Sequence, residues 1–505
     1  MLRHIDEFLN SITMYRAVLY GLLLLVLCVL IASPMKAIPY SPFILLGSLG
    51  LIVTTSAFSN YIFAKIFKVP TNIESYLITA LILFFIITPS MKFPDGILPL
   101  ILAPLIAIAS KFIFTIKRRH IFNPVAIGAV GITLFGMSAS WWIATPVLLP
   151  AVFIIGFFVI RKVRKFSLVF AFLGIVTGEM LIFGMLYNTP PVTVLTQLMF
   201  SWPILFFAAF MLTEPLTMPP TRYLQILYGA LVGFLFAFQL PLDPIKLSPE
   251  LVLVIGNIFA YIVSFKQRVT LILQEKQRLS STLYNFVFQP QEKFSFLPGQ
   301  YIEWTLPHKK TDSRGNRRFF SIASSPTEQS IQLGVRIDDD SSSFKKALRE
   351  MQKNEKIVIG NLKGDFVLPN DTKEKLAFLS GGIGVTPFRS MLKYLTDRNE
   401  KRDIVYVYTC SKYEDFIYDN ILEEAKQKLR IKIIYILKED APYPKNYEGY
   451  TGHFTEEILK KEIPDYNERK YYISGSHQIV ELYKDILKKS NISNSNIVTD
   501  YFSGY

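Results

Sequence analysis

Up to about Arg268 the chain consists of long apolar runs; beyond it charged residues are frequent and every apolar run is short. This break constrains folding more than any other feature. A stretch of about 20 mostly apolar residues is long enough to cross a bilayer as a helix. Read on that template, the first part predicts about ten spans, near 15–34, 43–64, 73–90, 95–114, 122–138, 144–160, 167–187, 197–213, 223–240 and 249–266. Pro and Gly interrupt several of them. The averages over all 505 residues, 51% hydrophobic and 19% charged, therefore blend two unlike halves.

The charges between the runs predict an orientation. One set of connections carries Lys65, Lys68, Lys111, Lys117, Arg118, Arg119, Arg161, Lys162, Arg164, Lys165, Arg222, Lys266 and Arg268, which is 13 basic residues; the alternate set carries Lys36, Lys92 and Lys246. The positive-inside rule puts the richer set, both termini and the whole second half in the cytoplasm of a multi-pass protein of the cell membrane. The net charge of +14 is partly this topology signal, and nucleic acid is set aside as a partner. Because the first apolar run is long enough to span and others follow, no cleavable secretory signal is expected. Cys28 and Cys410 are far apart and lack a CxxC partner, which argues against a disulfide framework, a zinc site or a cysteine-held iron–sulfur cluster. Of five histidines only His4 and His120 precede the second half, too few for paired haem ligands in two helices.

From about Leu271 the pattern changes to short alternating stretches such as "TLYNFVFQP" and "IQLGVRID", which read as strands of a small antiparallel barrel. From Glu374 on, apolar runs ("KLAFLS", "DIVYVYT", "IKIIYIL", "KYYISG") alternate with helical patterns, the rhythm of a doubly wound parallel sheet. The run "LAFLSGGIGVTPFRSML" places a glycine cluster between a strand and a helix, a turn suited to a phosphate lying on a helix N-terminus.

With "FSFLPGQYIEW" and "RRFFSIASSP" in the barrel and "SGGIGVTP" opening the sheet, the second half resembles the ferredoxin–NADP reductase superfamily over roughly 230 residues. The resemblance implies an FAD-binding barrel over 269–370, an NAD(P)-binding domain over 371–505, and FAD with NADH or NADPH as cofactor and substrate. It implies that Arg318 pairs with the FAD pyrophosphate, a task for a planar permanent cation. Phe320, beside Phe319, stands where the family has a tyrosine against the flavin, and Ser321 matches the residue near flavin N5. Ser342 and Ser343 in "DDDSSSFKKAL" resemble the second phosphate-binding turn, without its usual glycine; simple helix capping is the alternative. Gly381, Gly382 and Gly384 let the dinucleotide approach, and Thr386 lies beside the nicotinamide. In "YYISGSHQIVE" Ser474 replaces the family's cysteine and Gly475 keeps the close approach. The catalytic residues so implied are Ser321, Thr386 and Ser474. "TDYFSGY" resembles an aromatic terminus covering the flavin, with Phe502 or Tyr505 stacking. After the second strand "YTCSKYEDF" offers Lys412 but also Glu414 and Asp415, which leans to NADH.

In the first half, "KRRHIFNPVAIGAVGITLFG" and "FMLTEPLTMPPTRYLQILYGALVGFLF" resemble the flavin-carrying membrane subunits of Rnf-type electron-transport complexes and of the sodium-pumping NADH:quinone reductase. This implies a ten-helix transmembrane domain over 1–268. "FFIITPSMKFPDGILPLIL" echoes "AAFMLTEPLTMPPTRYLQIL" at an offset of five spans, as an inverted repeat would. The outward loop "LYNTPPVTVLTQ" holds Thr189, Thr193 and Thr196 but lacks the Gly-Ala-Thr context of covalent flavinylation, leaving a non-covalent FMN or riboflavin open. Glu179 and Glu214 are candidate proton or ion carriers. The two halves together imply a membrane-bound NAD(P)H dehydrogenase that delivers electrons to a flavin, a quinone or an extracytoplasmic flavoprotein. The alternatives are a redox-linked ion transporter, or one component of a larger Rnf-like complex.

Overall fold

The computed structural model describes residues 9, 12–68, 73–116, 119–201, 203–237, 247–264, 268–309, 311–312, 315–438 and 442–500. His4, Lys117, Arg118, Lys246, Lys266, Phe502 and Tyr505 lie outside them. Two compact units divide the chain, one up to Ser264 and one from Phe265 to Phe502.

The first unit is helical. Among the described residues, three helices are long and apolar enough to cross a membrane: Met14–Ala32, Pro42–Phe67 and Phe166–Leu186. Pro191–Phe200 with Ile204–Met211, bent by 60°, would make a fourth. The other apolar helices, Ile73–Ile86, Ile97–Ile113, Pro124–Thr133, Arg222–Ala237 and Pro249–Val263, run only 10–17 residues. The expected count of about ten spans is therefore corrected to three. Proline contributes by shortening runs: it withholds a backbone donor and clashes with the preceding turn, so a helix such as Ile73–Ile86 ends before its apolar run does. Pro89 and Pro94 lie between Ile73–Ile86 and Ile97–Ile113; Pro215, Pro219 and Pro220 lie between the π-helical turn Phe207–Met211 and Arg222–Ala237.

Helix packing repeats within this unit. Met14–Ala32 lies on Ile73–Ile86, Pro42–Phe67 on Ile97–Ile113, and Ile97–Ile113 on Pro124–Thr133. In the same order, Leu149–Val163 lies on Ile204–Met211, Phe166–Leu186 on Arg222–Ala237, and Arg222–Ala237 on Pro249–Val263. Small residues permit this approach: a Cβ at Gly229 would stand 2.5 Å from the carbonyl of Leu168. The echoed sequences both end a helix on a bonded carbonyl. Ile86 O accepts from the N–H groups of Ser140 (2.8 Å) and Trp141 (3.0 Å), and Met211 O accepts from Asn123 Nδ2 (3.5 Å). Thr115–Ile116 (β1) and Arg119–His120 (β2) form a small hairpin.

The second unit holds two sheets. β3 (Val269–Arg278), β4 (Leu283–Pro290), β5 (Tyr301–Thr305), β6 (Arg317–Ser321), β7 (Ile331–Arg336) and β8 (Lys356–Lys363) form an antiparallel sheet in the order β6-β5-β8-β3-β4-β7. Just past β6, Ala323 N–H donates to Gln332 O on β7 at 2.9 Å, which joins the two edges around a core of Phe286, Phe288 and Trp304. β9 (Leu376–Gly381), β10 (Ile404–Cys410), β11 (Lys432–Leu437), β12 (Tyr450–Thr451), β13 (Lys470–Ser474) and β14 (Ile497–Thr499) are all parallel, in the order β12-β11-β10-β9-β13-β14. Helices Val385–Asp397 and Asp419–Leu429 cover one face, and Glu456–Glu462 and His477–Lys489 the other. Coverage on both faces is why these strands read as unbroken apolar runs.

Barrel and sheet are latched together. Buried Arg389 donates to Ala323 O (3.0 Å) and to both carboxylate oxygens of Glu328, while Ser390 Oγ donates to Ser324 O (2.6 Å). Arg389 also lies over the Tyr418 ring, 5.6 Å from its centre; Tyr418 Oη donates to Asn285 Oδ1 at 3.1 Å, and Arg336 of β7 pairs with Asp415 at 2.9 Å.

Candidate functional site

The chain enters the parallel sheet at β9, adds β10 to β12 on one side, then returns to add β13 and β14 on the other. The crevice beyond the carboxyl ends of β9 and β13 is thus the switch point, the place where such sheets take ligands. The predicted residues Gly381, Gly382, Gly384, Thr386, Ser474 and Gly475 all lie there. Gly382 has φ of +53°, in the left-handed region that disfavours a side chain. A Cβ at Gly384 would stand 2.3 Å from Ser474 O, so the turn and the end of β13 touch backbone to backbone. Thr386 is 6% exposed and packs its methyl toward Gly334 of the barrel.

Two of the three predicted catalytic residues converge on a group that sequence reasoning missed. Ser321 Oγ, at the end of β6, donates to Asp500 Oδ2 at 3.1 Å, and Ser474 Oγ, at the end of β13, donates to the same oxygen at 3.3 Å. Asp500 is buried, anchored by its N–H to Ile473 O at 2.9 Å, and among the described residues its Oδ1 has no hydrogen-bond partner. Burial pushes its carboxyl up to about 7, against the opposing effect of the two serine hydroxyls. A carboxyl of this kind holds or releases a proton near neutral pH, between the barrel and the sheet. Its only sequence signal is a carboxylate directly after the last strand. Thr386 is not part of this junction; its Oγ1 donates to Ile383 O at 3.2 Å.

The predicted phosphate-binding residues also assemble. Arg318 is buried on β6, with Nη1 held by the carbonyls of Gly315 (3.0 Å) and Arg317 (2.6 Å) and Nη2 on the carboxylate of Asp312 (3.0 and 3.4 Å). Its guanidinium lies 5.5 Å from the Phe344 ring centre. Ser343 N–H, at the start of helix Ser343–Glu350, donates to Asp312 Oδ2 at 3.1 Å. The donor set is already seated on a carboxylate, so it fits an anion such as a diphosphate. Ser342 takes the capping role, its Oγ accepting from Lys345 N–H. Phe320 is half-buried against Phe344 at 5.9 Å, beside this anion seat. Phe319 meets Tyr301 edge-on at 5.6 Å under Lys363.

Beyond β10, Lys412 is exposed. Glu414 accepts from Ser281 Oγ at 2.5 Å and buried Asp415 from Ser280 Oγ at 2.7 Å. Sequence reasoning also missed Arg336, whose Nη2 would lie 3.4 Å from a Cβ at Gly382 and so faces the glycine turn with a cation. Nothing in its own strand, "IQLGVR", distinguished it from a solvated arginine.

In the first unit, Glu214 Oε2 accepts from Thr217 Oγ1 at 3.1 Å and Oε1 lies 3.5 Å from His120 Nε2. Glu179 lies in helix Phe166–Leu186 with Oε2 buried and without a partner among the described residues. Thr189 and Thr196 are engaged locally, Thr189 N–H with Gly184 O and Thr196 Oγ1 with Val192 O.

Residues 378–485 match the family model described as the oxidoreductase NAD-binding domain. The reductase subunit of a glycine betaine monooxygenase from Chromohalobacter salexigens is 26% identical over 213 residues, 41% of this chain and 56% of that protein. A flavohemoprotein of Bacillus subtilis is 26% identical over 225 residues, 43% of this chain and 54% of that protein. The FAD/NAD-binding domain of a nitric oxide dioxygenase from Vibrio cholerae is 16% identical, with a TM-score of 0.41, over 46% of this chain and 98% of that one. The chain spans about half the length of the curated relatives it matches. The second unit is a flavin-dependent NAD(P)H oxidoreductase unit, with FAD and NAD(P)H as its cofactors.

Proposed function

We propose that the whole chain is a membrane-bound NAD(P)H dehydrogenase in one polypeptide, with a transmembrane domain over 1–268, an FAD-binding barrel over 269–370 and an NAD(P)-binding domain over 371–505. The observation that carries this reading is the meeting of Ser321, Ser474 and Asp500 at the switch point. A barrel residue and a sheet residue there share one protonatable carboxyl. Bound there, FAD would supply the chemistry of accepting one hydride, two electrons with a proton, from NAD(P)H and of giving up electrons singly. Arg318 and the N–H of Ser343 would hold its diphosphate, and Phe320 would flank it. Gly381, Gly382, Gly384 and Gly475 would leave room for the dinucleotide backbone, with Arg336 facing its phosphates and Thr386 its nicotinamide. Asp500 would hold a proton at Oδ1 or release it, its carboxyl oriented by the two serine hydroxyls on Oδ2. The Arg389–Glu328 latch would keep water from the junction.

The three long apolar helices support a membrane location, with a quinone, a membrane flavin or an extracytoplasmic flavoprotein as acceptor. The resemblance of the first half to the membrane subunits of Rnf complexes and of the sodium-pumping reductase belongs to this proposal. Detergent-purified full-length protein is expected to yield about one FAD per chain on acid extraction and to oxidise NADH with a quinone or ferricyanide. Folded protein without flavin absorbance and without NADH oxidation would overturn the reading. The repeated helix packing favours a second reading, a redox-linked ion transporter: nucleotide-independent ion flux into liposomes would support it.

A further inference from the structure

We propose that Asp312 is a built-in occupant of the diphosphate seat, and that FAD binds by displacing it. The inference rests on the FAD reading above. Asp312 stands between β5 and β6 and makes the contacts an oxyanion would make. Its carboxylate bridges Arg318 Nη2 (3.0 and 3.4 Å) and the N–H of Ser343 (3.1 Å). It is also fixed from behind. Its own N–H donates to Ser343 Oγ at 2.9 Å, and that hydroxyl contacts His308 Nε2 at 3.0 Å.

The same donors cannot serve a carboxylate and a diphosphate together, because both are anions and both use these N–H groups. Exchange need not disturb the cation. The Nη1 edge of Arg318 is held by the Gly315 and Arg317 carbonyls, independently of Asp312. Flavin loading is therefore a competition between a tethered carboxylate and an incoming diphosphate. The tether gives the carboxylate a high local concentration, so it slows association and weakens apparent affinity without touching the flavin ring.

The test uses full-length protein in detergent, stripped of flavin, with FAD added and binding followed by quenching of flavin fluorescence. Asp312→Asn keeps the size and removes the charge. It is expected to bind FAD about tenfold more tightly, as expected when a charged competing hydrogen bond is replaced by a neutral one. Its association rate should rise as well. Asp312→Glu keeps the charge and should stay within about twofold of the parent. The proposal falls if Asp312→Asn binds FAD no faster and no more tightly, or more weakly, than the parent. If neither protein binds FAD while both melt cooperatively at the same temperature, the FAD reading falls, and this inference with it.

Discussion

Asp500 stands where burial and proton affinity conflict. In the unfolded chain its carboxyl ionises around 3.8, whereas in the fold it does so at about 7. Between those values the folded state binds the extra proton, so this residue costs stability as pH rises through the window, and the full cost is present above about 7. Asp500→Asn should therefore gain stability relative to the parent as pH goes from 4 to 8, with no relative gain below 4; denaturant melts at a series of pH values would show it. If Asp500 supplies the proton in the reaction, Asp500→Asn should lower NADH-dependent turnover by about 10²-fold and remove any pH dependence centred near 7. Arg318→Ala should weaken FAD retention at least tenfold, read by flavin release on gel filtration. Arg318, Ser321 and Ser474 were legible because they sit in recognisable strings. Asp500 was not, because a carboxylate after a last strand has no local pattern; its role arises only when β6 and β13 bring two hydroxyls to it.

Elements were legible in proportion to how local their causes are. β9 runs from Leu376 to Gly381 as a wholly buried strand, and Gly382 and Gly384 follow it into the helix Val385–Asp397, as the apolar run and glycine cluster required. Gly384→Ala should fail in a specific way. Its Cβ would push on the carbonyl of Ser474, which is backbone and cannot swing aside, so NADH KM should rise at least tenfold in steady-state assays while FAD content stays near the parent. The Arg389–Glu328 latch came from no motif, since its partners are 61 residues apart, one just before β7 and the other in helix Val385–Asp397. Arg389→Ala takes the cation from Glu328, which keeps only the Ser325 N–H and the Gln332 amide, and should cost about 3 kcal/mol in denaturant unfolding of the second unit. Span lengths in the first unit were misjudged for a related reason. The apolar run over 73–90 continues across Pro89, but the helical hydrogen-bond ladder does not, and the helix ends at Ile86.

Over the whole molecule, the change of pattern near Arg268 separates the two compact units that divide after Ser264. If the first unit lies in a bilayer, membranes washed with alkaline carbonate should retain the full chain, as an immunoblot of pellet and supernatant would show. By itself the sequence determined which half is apolar, where the barrel gives way to the parallel sheet, and which loop ends at the switch point. Those properties depend on hydropathy, strand alternation and turn chemistry, and each is written within a few residues. Only the tertiary structure decided that Ser321 and Ser474 share Asp500, that Asp312 sits on Arg318 and Ser343, that Arg336 faces Gly382, and that the helix packing of the first unit occurs twice. Those contacts join segments from six to 179 residues apart, and no local rule fixes which distant donor meets which acceptor.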